Sequence, residues 1–280
     1  MPDLAAGLAH PYLQNALAGG LIVAVLGAFV GYFVVLRGAA FATHALSQIG
    51  FAGAAGAVLI GIEPIVGLLA FSLLGAAGLG ALSLRSRTND VGTALLLVAS
   101  LGTGALFLAL ASNFASNVVS LLFGTIVGVD RAQVGLTAVA AACALALLAA
   151  IARPLLYATV ARAAARSAGV PVVALDFAFL GIVALAAAVT VPIVGALLVF
   201  SLMLGPAAAA GCISARPGVA LALAVALGAV AVFGGVAAAY ETDWPVGFFI
   251  ATIALLEYVA ARSIAAARAG AGRGRATPAA

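Results

Sequence analysis

The chain has 280 residues, 66% of them hydrophobic and only 7% charged, against about 25% charged in an ordinary soluble domain. A soluble fold cannot hide that much apolar surface behind so few charges, so the surrounding solvent is lipid and the expected fold is all-α. The net charge of +4 rests on 12 basic residues, all arginines at the ends of apolar runs, which marks them as topogenic and argues against a nucleic-acid ligand.

A bilayer core takes about 20 apolar residues per helix. Runs of that kind are predicted at 13–36, 41–60, 64–84, 91–111, 132–152, 172–191, 193–212, 218–239 and 246–264. They make about nine transmembrane helices in a single polytopic membrane domain, 1–264, with a disordered basic cytoplasmic tail at 265–280. The N-terminal MPDLAAGLAHPYLQ has no basic stretch, so the first run is expected as a retained helix and not a cleaved signal. Breaks fall at Gly38, Glu63-Pro64, 85–90, 111–117, the long polar break 152–171, Pro192, 216–218 and 240–245. The segment 118–129, VVSLLFGTIVGV, is too short to cross and is expected as a short outer helix or a re-entrant piece.

Orientation follows from the arginines. With the N-terminus outside and nine alternating crossings, every arginine except Arg131 falls on the inner side, which places the C-terminus in the cytoplasm. Small residues recur at helix-packing spacing: Gly27 with Gly31, Gly124 with Gly128, and Gly50, Gly53 and Ala57 along one side of the second helix. Such residues let membrane helices approach closely, within one bundle or across a dimer face. Cys143 and Cys212 lie inside apolar runs and read as packing residues.

No catalytic constellation stands out, so no enzymatic activity is expected. Lysine is absent, and with it any Walker A loop, whose lysine holds the nucleotide phosphates. The notable polar group is Thr43, His44, Ser47 and Gln48. On a helix His44 and Gln48 lie one turn apart on one face, with Thr43 and Ser47 beside them. Two readings stand: a metal-ligating stripe, since neutral imidazole suits zinc and related metals, or interhelical hydrogen bonding. His10 reads as a surface histidine, and Glu257 with Tyr258 as an interfacial partner of Arg262 one turn on.

Three blocks carry a resemblance. FVVLR at 33–37 followed by Phe41, Ala45, Leu46 and Ser47, then SLLFGTIVGV at 120–129, then VGALLVFSLMLGPAAAA at 194–210 resemble signatures of the integral-membrane permeases of ATP-binding cassette importers for zinc and manganese. The likeness runs from about 12 to 264 in matching order. It implies a permease subunit working as a dimer with a second copy of itself. Its partners would be a cytoplasmic ATP-binding cassette ATPase that holds the ATP and an extracytoplasmic metal-binding protein. Its setting would be the lipid bilayer of the bacterial inner membrane.

The resemblance also implies no permanently bound cofactor, only a transported divalent metal. The family's aspartate in the second helix is His44 here, its histidine is Gln48, and the aspartate of the outer segment is Thr125, beside Gly124. A histidine without a carboxylate favours zinc over manganese. The break at 153–171 is expected to hold a short helix, 157–167, that docks on the ATPase through Arg162 and Arg166. The other readings are a gradient-driven secondary transporter, and an importer carrying manganese, iron or a metal chelate.

Overall fold

The computed structural model describes residues 10–85, 90–111 and 126–274, and in these residues it contains helices and no strand. Pro11 opens α1 (Pro11–Leu36) at the first helical position, where its missing N–H costs nothing. The chain reverses at Gly38, with φ 64°, into α2 (Ala40–Leu59). A second glycine with positive φ, Gly61, precedes α3 (Pro64–Arg85), which is followed by α4 (Asp90–Leu110). After a 3-10 turn, Ile126–Gly128, Asp130 caps α5 (Arg131–Val160) by accepting from the Gln133 N–H at 2.7 Å. The short α6 (Arg162–Ser167) leads to α7 (Val172–Val194), α8 (Ala196–Ile213), α9 (Pro217–Thr242) and α10 (Val246–Gly274).

Seven of these helices are long and apolar enough to cross a membrane. The two long helices outside that set are α2 and α8. The polar stripe of α2 lowers its hydropathy.

Helix α7 is the axis of the bundle, with 72% of its spanning window buried. On one side of it stand α2, α3 and α4; on the other, α1, α8, α9 and α10; α5 lies along α1 and α7. Ile126 and Val129 pack beside Gly20 and Gly19 of α1, which sets the 3-10 turn at the end of the bundle opposite Arg37. Gly27 and Gly31 press on Met203 of α8, so this pair serves packing inside one chain. Gly53 and Gly67 bring α2 and α3 so close that a Cβ on either would overlap the carbonyl oxygen of the other. Gly50 faces Ser72 on the same seam, as the small-residue side of the second helix predicts.

Three boundaries differ from the sequence expectation. Pro192 lies inside α7, and the break comes at Gly195, with φ 85°, because glycine alone takes that conformation without strain. Arg153 and Pro154 lie inside α5, whose Leu155 and Ala158 are buried in the main core. That apolar face carries the helix past a proline that removes only one backbone bond. The helix expected at 157–167 is therefore split at Ala161, where φ is −134° and ψ is 64°, into the end of α5 and α6. Helix α10 runs on past 264 to Gly274, and 275–280 lie outside the described residues. Gly124 and Thr125 lie outside them too.

Candidate functional site

The polar stripe of α2 divides into two kinds of side chain. Thr43 and Ser47 are buried, and their hydroxyls donate back to their own helix, to the Ala39 carbonyl at 3.0 Å and the His44 carbonyl at 2.8 Å. Their donor capacity is spent locally, as is common for such residues within helices. His44 and Gln48 differ. The Nδ1 of His44 and the Oε1 of Gln48 are both buried, and neither has a hydrogen-bond partner among the described residues. Each buried polar atom left unmatched costs about 1–3 kcal/mol, and these two lie on adjacent turns of one face. The imidazole is set edge-on against Phe200 of α8, with centroids 5.0 Å apart at 70°. Helix α8 thus fixes the ring that α2 presents.

Ser72 of α3 is a third buried polar group without a partner among the described residues, and it lies on the α2–α3 seam. Among the described residues no three of His, Cys, Asp and Glu come together as a metal cluster. A cleft of about 320 Å³ between α3, α5 and α7 is lined by Glu63, Gln133 and Thr137 with apolar neighbours, and neither His44 nor Gln48 lines it.

The arginine-bearing end holds a polar cluster the sequence reading missed. Asp176 of α7 is paired with both Arg37 and Arg162; Arg162 Nη2 lies 2.6 Å from Asp176 Oδ2. Arg37 also donates to the Thr159 hydroxyl at 3.1 Å, and its guanidinium lies 5.1 Å from the centre of the Phe179 ring. Arg37, topogenic by its place in the sequence, is in addition a structural ion-pair partner. Arg166 is exposed and forms no ion pair among the described residues. The signal for Asp176 was a lone acid inside the apolar VVALDFAFL, since an ionisable group within a membrane helix is functional by default. Arg262 donates to the Tyr258 hydroxyl at 3.1 Å, whereas both Glu257 carboxylate oxygens are buried without a partner among the described residues, so the expected Glu257–Arg262 contact is not formed. His10 stacks on Tyr12 with centroids 5.6 Å apart.

Residues 9–265 match the ABC 3 transport family. This chain belongs to that family. The resemblance drawn from the three sequence blocks therefore holds. The manganese transport system membrane protein MntC of Halalkalibacterium halodurans is 26% identical over 230 residues, which is 82% of this chain and 79% of that protein. The high-affinity zinc uptake system membrane protein ZnuB of Haemophilus influenzae is 26% identical over 235 residues, 82% of this chain and 89% of its own length. The fold matches the solved structure of PsaBC from Streptococcus pneumoniae in complex with Fab. The TM-score is 0.83 at 23% identity, over 92% of this chain and 93% of that one. MntC and ZnuB are both membrane proteins of metal transport systems.

Proposed function

We propose that this chain is the membrane permease subunit of an ATP-driven divalent-metal importer, with zinc as the favoured cargo. The observation that carries the reading is the pair His44 and Gln48. They present an unmatched imidazole nitrogen and an unmatched amide oxygen on one face of α2, which packs between α3, α4 and the axial α7. A neutral imidazole and an amide make a softer donor set than carboxylates, and that favours zinc over manganese. One chain provides too few ligands for a closed site. The remaining ligands come from the cargo's own water or from a second copy across the pathway.

In this reading two copies form the pathway, and nine helices cross the bacterial inner membrane with the N-terminus outside and the C-terminus in the cytoplasm. The distribution of arginines supports that orientation, since the end holding Arg37, Arg162 and Arg166 is then the cytoplasmic one. A separate ATPase docks there against α6, and a metal-binding receptor delivers cargo to the opposite end. Arg162 is turned onto Asp176, which leaves Arg166 as the cation that α6 presents to a partner.

The docking claim has a direct test. Arg166→Glu reverses an exposed charge that supports no internal contact, so the permease is expected to fold normally and to lose most of its ATPase in co-purification. Full recovery of the ATPase with that variant would remove α6 from the interface.

A further inference from the structure

Asp176 sits in the second turn of α7 and ties together parts of the chain that are far apart in sequence. Its partner Arg37, 139 residues away, closes α1; its partner Arg162, 14 residues away, opens α6. Through Arg37 the same cluster reaches Thr159 at the end of α5. Two features make this more than a local ion pair. The first is asymmetry. The Arg37 and Asp176 side chains are only 12% and 14% exposed, whereas that of Arg162 is 42% exposed. The inner half of the cluster is held by packing, and the outer half is accessible enough to break and re-form.

The second feature is what lies on either side. Helix α6 reads RAAARS and buries only Ala165, so it has little apolar surface with which to pull on the bundle. Among the described residues, the two hydrogen bonds from Arg162 to Asp176 are its only side-chain hydrogen bonds to another helix. On the far side, Arg37 is followed by the glycine elbow at Gly38 and then by α2, which carries His44 in its second turn. A planar guanidinium against a carboxylate resists both shear and rotation, which a contact between alanines does not.

We propose that Asp176 is a positioning residue that carries movement of α6 to the elbow between α1 and α2, and so to His44. This rests on the reading of α6 as the ATPase contact. A push on α6 reaches α7 through Arg162, passes to Arg37 on the same carboxylate, and changes the direction in which α2 leaves the elbow. Asp176 itself touches neither cargo nor nucleotide. It converts a displacement at the surface of the bundle into a reorientation of the helix that presents His44 and Gln48.

Arg162→Gln is the sharpest probe, because it cuts the outer half and leaves Arg37 on Asp176. Two readouts apply. In the permease alone in lipid nanodiscs, amide hydrogen exchange at 37–43 is expected to rise. In vesicles containing the permease with its ATPase, the zinc moved per ATP hydrolysed is expected to fall about tenfold, the scale on which residues that carry coupling act. Arg162→Lys, which keeps the charge, is expected to recover part of that ratio, and Asp176→Asn to reproduce the defect. A merely structural pair would lower the amount of active protein and leave the ratio alone. An unchanged ratio, or unchanged exchange at the elbow, overturns the proposal. Should Arg166→Glu leave the ATPase bound while the elbow still responds to Arg162→Gln, the docking reading fails and the internal link stands.

Discussion

Permease carrying His44→Ala is expected to assemble and to move no zinc. The imidazole is half-buried and donates to nothing within the described chain, so its removal breaks no internal hydrogen bond. The structural loss is the edge-to-face contact with Phe200, worth about 0.5–1.5 kcal/mol. The functional loss is one of the two unmatched ligand atoms that the proposed site presents on α2. Among the described residues no cluster of three acids, histidines or cysteines stands ready to take its place, so uptake should fall to background. Zinc accumulation in vesicles, normalised to the amount of folded protein, measures this.

A companion variant sharpens the account. His44→Asp restores a hard oxygen ligand where the resembling family carries aspartate. It is expected to keep transport but to shift preference from zinc toward manganese. Full-rate zinc uptake by His44→Ala would take this residue out of the mechanism.

The largest effect on stability is expected from Gly31→Leu. A Cβ at that position would overlap the Met203 carbonyl oxygen of α8, and Gly27 rests on Met203 one turn earlier. The obstacle is backbone, so no rotamer change relieves it, and the two helices must separate. Overpacking of a close-packed interior costs about 1–3 kcal/mol, and this contact lies at or above the top of that range. Since α8 also positions Phe200 against His44, the same variant is expected to lose both its thermal transition in detergent and its transport. Gly78→Ala is the control, because a Cβ there meets nothing within 4 Å. Equal melting temperatures for Gly31→Leu and the wild type would show that the α1–α8 seam is not where the bundle gains its stability.

The apolar runs placed the start of each long helix to within three residues, though not every end, because in lipid a run of that length has few other ways to satisfy its backbone. Pro154 and Pro192 misled the boundaries for a related reason. In water a proline inside a helix is a strong stop. Here the buried face of α5, with Leu155 and Ala158, and that of α7, with Ile193 and Val194, hold the helix through it. His44 and Gln48 were legible from their spacing of four. That Thr43 and Ser47 would turn back onto their own helix was not, since the hydroxyl can bond locally or across the interface and the pattern is the same for both. Arg37 read as topogenic charge and Arg162 as a docking candidate because their shared partner, Asp176, lies a long way off in sequence and inside an apolar stretch.

The central claim is that this bundle has no engine of its own and depends on a nucleotide-driven partner. The direct test is zinc accumulation in sealed vesicles containing the purified chain, alone and together with a cognate ATP-binding cassette ATPase. Uphill zinc movement only when the ATPase and ATP are both present is the predicted result. Uphill movement by the chain alone, driven by an imposed proton or sodium gradient, would contradict it.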